Sequence, residues 1–305
     1  MIIDVHTHLG DILHHRGGEL IFKTGVKKRL IPDLISVSEW TQYQTTPFLE
    51  SLVKKLEYFL TLASQARNDT ATLENAKKAM ERTGVVRSVC LPLAPYVTFD
   101  DLHRAREQYE GVIPFTSVDF AQENDLDAMF LDQARRGAKG LKLHPIIQKQ
   151  PLDHPRTMET VQAFSPHGLP VLFHCGVYSY YLGDEKTSKQ VPEFGAAVQA
   201  RELVSSFPNT TFIAGHAGLF EYRDVIRVLG PFKNLHVDVS FQSPPKIKEL
   251  LKALGPERVM YGSDWPWGSR DAAAASVRKA CAGDKSLENM IFYENAKRVL
   301  RLDGV

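Results

Sequence analysis

Short apolar runs recur along the chain, and segments in which apolar residues return every three or four positions lie between them. The runs fall at residues 2–6, 85–91, 112–118, 138–144, 170–174, 211–216, 235–239 and 258–264. Each is rich in Val, Ile, Leu or Phe, and most are nearly continuous in apolar character. That marks strands covered on both faces, as in a parallel sheet, rather than strands with one wet face. Eight such strands alternating with helices predict an α/β fold, the (β/α)8 or TIM barrel, in which a closed ring of parallel strands is wrapped by helices.

The helical segments have readable ends. Residues 72–83 stop at Gly84 and residues 125–136 at Gly137, and glycine favours the left-handed turn that ends a helix. Residues 193–207 run up to Pro208, 222–229 to Gly230-Pro231 and 245–254 to Gly255-Pro256, where proline cannot continue the helix. A final helix over 287–302 closes the chain. One stretch exceeds a minimal barrel: residues 9–69 form an insertion after the first strand, far longer than the ~2–6 residues of an ordinary βα loop. Its second half, 48–67, spaces Leu49, Leu52, Val53, Leu56, Phe59, Leu60 and Ala63 as a helix does. The expectation is one domain over residues 1–305 with a long, mainly helical insertion. Leaving from the end of the first strand, the insertion is expected to lie over the barrel mouth as a lid, a subunit contact being the alternative.

Composition narrows the setting. With 43% hydrophobic and 24% charged residues, the 305-residue chain can bury a large core. The 37 basic and 36 acidic residues leave a net charge of +1, which offers no electrostatic footprint for nucleic acid or an anionic membrane. No apolar run approaches the ~18 residues of a membrane span, and no basic segment leads into an apolar leader. Cys90, Cys175 and Cys281 are too few and too far apart for a disulfide framework or a zinc knuckle. A cytoplasmic protein acting on a small molecule is expected.

Polar residues then collect where chemistry is expected. Asp4, His6 and His8 alternate along the first strand and share one face. Lys142 and His144 end the fourth strand on a common face, His174 ends the fifth, His216 the sixth and Asp264 the eighth. In a barrel of this kind the C-terminal strand ends converge on one mouth, where the active site lies. Several imidazoles and one carboxylate meeting there are a ligand set for Zn²⁺ or another borderline divalent ion.

The motifs Asp4-x-His6-x-His8, Lys142-Leu-His144-Pro145, His174, His216 and Gly262-Ser263-Asp264-Trp265-Pro266, together with the closing Glu294–Leu300 stretch, resemble the amidohydrolase superfamily. The similarity is to the branch holding amidohydrolase-2 type hydrolases and the aminocarboxymuconate-semialdehyde and resorcylate decarboxylases. It implies that His6, His8, His174 and Asp264 hold one divalent metal ion, Zn²⁺ in the first place and Mn²⁺ in the second. It assigns acid–base roles to His216 and Asp264. Lys142 and His144 are left as substrate-binding or second-metal residues, since two-metal relatives bridge their ions with a carboxylated lysine on this strand. Asp4 lies deeper and reads as a supporting residue. The implied activity is hydrolysis of an amide, ester or lactone by metal-activated water. The alternative is non-oxidative decarboxylation of a small unsaturated or aromatic acid. Decarboxylases of the branch follow the sixth-strand histidine with glycines, whereas Ala217-Gly218-Leu219-Phe220 follows here, which favours hydrolysis. The resemblance also suggests a homodimer.

Lesser candidates remain. Tyr178, Tyr180, Tyr181, Trp265 and Trp267 are candidates for the wall of an apolar pocket. Arg16, Arg223 and Arg270 read as surface charges, with a carboxylate clamp as the alternative. His14 and His15 read as a solvated pair, and Cys175 as a small buried residue.

Overall fold

Eight parallel strands form a ring in the computed structural model, which describes residues 1–31, 33–42, 56–123 and 125–302. Strands β1 (Ile2–Thr7), β2 (Val85–Cys90) and β3 (Val112–Pro114) pair in chain order. So do β4 (Leu141–Leu143), β5 (Val171–Phe173), β6 (Phe212–Ala214), β7 (Leu235–Asp238) and β8 (Val259–Met260). Backbone hydrogen bonds join the two groups. On one side Thr116 N–H reaches Gly140 O at 2.8 Å, and Lys142 N–H reaches Thr116 O at 2.7 Å. On the other, Val5 N–H donates to Tyr261 O at 3.0 Å, Asp264 N–H to His6 O at 2.7 Å and His8 N–H to Trp265 O at 2.8 Å. All eight expected strands are present. Several are shorter than their apolar runs because the chain leaves the ladder for the mouth loops while its side chains stay buried, as Phe115 and Val118 do after β3.

The helices pack on the outside of the ring. Phe130, Phe164, Leu203, Val225, Leu250, Val277 and Ile291 join strand residues such as Val171, Phe173 and Val237 in the largest buried cluster. Leu73–Thr83 starts at Thr72, whose side chain accepts from Asn75 N–H, and ends at Gly84 with φ +71° as its sequence predicts. Three helices differ from expectation, the one over 222–229 in being widened at Val225–Leu229. In place of one helix over 193–207, the chain makes short turns at Pro192–Gly195 and Ala197–Ala200 before the helix Arg201–Ser206. The interruption has a cause: Gly195 O accepts Gly176 N–H at 2.7 Å from the loop after β5, an approach that leaves no room for a side chain at Gly195. The closing helix is widened in its middle at Met290–Glu294 and resumes at Asn295–Val299.

The insertion carries helices at Leu34–Gln42 and Glu57–Asn68. The expected helix over 48–67 is found from residue 57 onward, while 48–55 lie outside the described residues. The second helix is tied to the mouth. Thr61 Oγ1 donates to Ser179 O at 3.0 Å, Gln65 Nε2 to Tyr180 O at 3.0 Å, and the Arg67 guanidinium to Trp267 O. Among the described residues, no helix is long and apolar enough to cross a membrane.

Candidate metal centre and substrate pocket

His6, His8, Lys142, His144, His174, His216 and Asp264 are all buried at the C-terminal mouth. Local backbone shape brings them there. β1 presents His6 and His8 on one face, and the rings of His6 and His216 stack at 4.4 Å. Gly215 makes that stacking feasible, since a Cβ there would lie 3.0 Å from His6 Cε1. After it the chain turns through four left-handed residues, His216 to Leu219, with φ of +56°, +45°, +86° and +53°. Only one of the four is glycine, so the turn is strained and must be held from outside. Gln242 holds it, donating from Nε2 to His216 O at 2.7 Å and to Leu219 O at 2.9 Å. Asp264 is a further left-handed residue, at φ +57°.

The hydrogen-bond partners of the imidazoles assign their protons. His6 Nδ1 donates to Asp238 Oδ2 at 2.8 Å, and His8 Nδ1 donates to Leu91 O at 2.9 Å. Each therefore turns an unprotonated Nε2 inward. These two nitrogens lie 3.6 Å and 3.4 Å from Asp264 Oδ1, an oxygen with no hydrogen-bond partner among the described residues. His174 donates from Nε2 to Gly176 O at 2.8 Å, leaving Nδ1 inward. The Ser240 hydroxyl donates to Asp238 Oδ1, so its oxygen accepts from His216 Nδ1 at 2.7 Å and His216 Nε2 is left bare. That Nε2 faces His174 Nδ1 at 3.1 Å. Lone pairs thus converge on a buried space from His6, His8, His174, His216 and Asp264. The Lys142 ammonium, 3.5 Å from His6 Nε2, and the Tyr180 hydroxyl, 3.3 Å from His174 Nδ1, are donors within reach, and a divalent cation would satisfy the remaining lone pairs. The donor atoms of His6, His216 and Asp264 all lie within 4.8 Å of one another. Nitrogen and carboxylate donors in this number suit a divalent ion such as Zn²⁺ or Mn²⁺.

Electrostatics agree. Burial, reinforced by the Lys142 charge, holds His6 and His8 well below the usual histidine range and brings His174 down to about 3. Burial likewise depresses His144 and His216 and pushes Asp264 well above the usual carboxylate range. The imidazoles are therefore neutral and able to ligate at neutral pH. The Lys142 ammonium lies 3.5 Å from His6 Nε2, and burial lowers it to about 8. His144 stacks face to face on His174 at 4.4 Å and caps the turn Pro145–Gln148, its Nδ1 accepting Ile147 N–H at 3.5 Å.

The other candidates separate cleanly. Arg270 is not a surface charge: it is buried, and Nε donates to Asp4 Oδ2 at 3.0 Å while Nη2 reaches Ser88 Oγ at 2.9 Å. Asp4 also accepts Ser263 N–H at 2.9 Å, so this carboxylate braces the loop that carries Asp264. Arg16 pairs with Asp11 and Asp69, and Arg223 with Glu249. His14 is half-buried against Asp11 rather than solvated, and that carboxylate raises it above the usual histidine range. Cys175 is buried beside His174, and burial pushes its thiol above the usual range. Tyr181 is buried with its hydroxyl on Leu13 O at 2.9 Å, and the Trp265 ring lies 4.9 Å from the Arg270 guanidinium. Sequence reasoning passed over Asp238, Ser240 and Gln242. Asp238 carried a usable signal, a carboxylate at the C-terminal end of the seventh apolar run, where the other strands bear their functional residues.

Above the imidazoles opens a pocket enclosing about 660 Å³, part of it open to solvent. His216 and Asp264 form its polar floor; Tyr178, Tyr180, Phe220, Phe241 and Trp267 supply aromatic walls. Ile35, Leu60 and Ser64 of the insertion complete the rim.

These features define a (β/α)8 barrel with a polar centre under an aromatic pocket at the C-terminal mouth. The chain belongs to the amidohydrolase family, which it matches over residues 3–302. No curated protein matches its sequence. Among solved structures it resembles an uncharacterized TIM-barrel protein of Bordetella bronchiseptica at 15% identity, with a TM-score of 0.68 and 98% of each chain covered. It is also similar to a 5-carboxyvanillate decarboxylase of Novosphingobium aromaticivorans, complexed with manganese and a nitrobenzoic acid, at 16% identity and a TM-score of 0.64, covering 99% of this chain and 96% of that one. A probable 2-pyrone-4,6-dicarboxylic acid hydrolase of Acinetobacter baumannii matches at 12% identity and a TM-score of 0.61, over 98% of this chain and 99% of the other.

Proposed function

We propose that this protein is a metal-dependent hydrolase of a small ester, lactone or amide. His6, His8, His174 and Asp264 would hold one divalent ion, with Zn²⁺ or Mn²⁺ the fitting metals. Bound there, the ion would polarise a substrate carbonyl and make water nucleophilic at neutral pH. The observation that carries the reading is the relay Asp238–Ser240–His216, which directs an unprotonated His216 Nε2 inward from the pocket floor. His6, His8 and His174 lie beneath that floor, whereas His216 and Asp264 line it and can meet substrate. Two proton acceptors at the reacting end suit removal of a proton from water, with Asp264 passing it on to the leaving group. The insertion helix at Glu57–Asn68 would act as a lid that limits solvent entry.

Decarboxylation is the second reading, and the aromatic wall favours it: a carboxylate stripped of water by Phe220, Phe241 and Trp267 loses CO₂ more readily. Incubating Zn²⁺- or Mn²⁺-loaded protein with a panel of lactones, esters, amides and dihydroxybenzoates separates the two. Hydrolysis products are expected. Release of CO₂ with no hydrolysis anywhere in the panel would replace the first reading by the second.

A further inference from the structure

Two pocket-lining residues on the loop after β8 each carry a buried polar atom with no hydrogen-bond partner among the described residues, Asp264 Oδ1 and Trp267 Nε1. A cation answers the first, which is an acceptor. The second is a donor and calls for the opposite. A buried indole N–H left unmet costs stability, and neither protein nor bulk water meets this one. Trp267 is buried, with its ring centroid 5.3 Å from that of His8 and 5.4 Å from that of Tyr180, and it forms part of the pocket wall beside His216 and Asp264. Its loop is held at several points. Gly268 N–H donates to Asp264 O at 2.8 Å, and the close approach of Ser263 O leaves no room for a side chain at Gly268. The Arg67 guanidinium, from the insertion, fixes Trp267 O. A backbone tied in this way and a ring packed between two others keep the indole in place, and the pocket is the open space beside it.

We propose that the Trp267 N–H binds an acceptor oxygen of the substrate and so governs which molecules the pocket takes. An indole nitrogen donates and cannot accept. It therefore selects a carbonyl, carboxylate, ring-ester or phenolate oxygen at that point and discriminates against an apolar or amino group there. His216 and Asp264 offer acceptors and Trp267 offers a donor, which gives this end of the pocket a fixed polarity. One oxygen of the substrate meets the indole while the reacting group faces the acceptors. The inference rests on the reading that this pocket takes the substrate. It holds for hydrolysis and for decarboxylation alike.

Acetophenone and ethylbenzene differ in a carbonyl oxygen and offer nothing to hydrolyse or decarboxylate. Calorimetric titration of both into metal-loaded and metal-stripped protein tests the donor. The wild type is expected to prefer acetophenone. Trp267→Phe should weaken acetophenone roughly fivefold to a hundredfold, the worth of satisfying a buried donor, and leave ethylbenzene nearly unchanged. A merely structural tryptophan would weaken both alike. A second readout needs no change at that position. In protein carrying isotope-labelled tryptophan, the indole N–H resonance of Trp267 is assigned by elimination with Trp40→Phe and Trp265→Phe. It should move downfield with acetophenone and not with ethylbenzene, and this shift decides the matter should Trp267→Phe fail to fold. Equal acetophenone affinity in the wild type and Trp267→Phe overturns the proposal. So does an indole resonance that responds to both probes alike, or an absence of acetophenone binding to the wild type at millimolar concentration. A Trp267-dependent preference in stripped protein, beside a loaded protein that turns nothing over, would uphold the donor and sink the catalytic reading.

Discussion

His6 Nδ1 lies 2.8 Å from Asp238 Oδ2, and the other oxygen of that carboxylate takes the Ser240 hydroxyl that in turn meets His216 Nδ1. One side chain therefore sets the proton positions of two imidazoles on different strands. Both turn an unprotonated Nε2 toward the centre, that of His6 within 3.5 Å of the Lys142 ammonium.

Asp238→Asn should loosen both rings at once. An amide can present its NH₂ to His6 or to Ser240, which disturbs the proton placement the carboxylate enforces. Partners of this kind typically govern metal affinity by about 10–100-fold. A metal dissociation constant measured by competition with a chelating dye should rise by about that much. An unchanged constant would remove Asp238 from the centre.

Asp264→Asn should separate stability from activity. Burial raises the Asp264 carboxyl, so in the metal-free protein the folded state holds that proton more tightly than the unfolded chain does. Its contribution is favourable below the unfolded value near 4 and is lost as pH rises. Asparagine removes that loss, so the metal-free variant is expected to melt at or above the wild-type temperature at neutral pH. Its turnover should fall by about 10²–10⁴-fold, the usual worth of an acid–base group. A variant that melts far below the wild type would contradict the account.

Acid should unfold the metal-free protein through its buried histidines. His6, His8, His144, His174, His216 and His236 are all depressed by burial, His174 to about 3 and His236 to about 4. A histidine depressed in the folded state takes up a proton on unfolding. Its stabilising effect is complete above about 6.5 and drains away as pH falls toward those lower values. Asp4, His14, Glu39 and Asp264 are raised and act in the opposite sense, yet six groups oppose four. The melting temperature should therefore climb between about pH 5 and about pH 7. A flat or falling profile there would count against neutral imidazoles at the centre.

Arg270→Leu should destabilise without touching the pocket. It strands the Asp4 carboxylate, which is buried and otherwise held by Ser263 and the His6 backbone. Breaking one side of a buried pair costs about 3–5 kcal/mol, part of which Asp4 recovers by taking a proton. Chemical denaturation should show a loss of a few kcal/mol, and the loss should shrink in acid as Asp4 protonates.

Much of this was legible in the chain itself. The eight apolar runs marked eight strands, because a strand buried on both faces must be apolar almost throughout. The imidazoles stood out because polar residues at the ends of such strands are conspicuous. Asp238 ended a strand in the same way, two residues after His236 on the same face, yet it stood alone at its strand end without the paired imidazoles that marked β1. Arg270 was misread because its partner, Asp4, lies 266 positions away and a lone arginine is ordinarily exposed. Ser240 and Gln242 act through backbone turns and shared protons, which leave no periodic trace. The break at Gly195 was equally hidden, since it depends on the close approach of Gly176 from another loop.

The seam that joins the first strand to the last passes through the centre: Asp264 N–H bonds His6 O, and His8 N–H bonds Trp265 O. The two ends of the barrel therefore meet between residues that would share an ion. Until the eighth strand arrives, the histidines near the start of the chain lack their carboxylate, and a partly made barrel has no finished coordination shell. A bound ion would complete its coordination only once the ring is whole, a clasp that would then hold the two ends of the chain together.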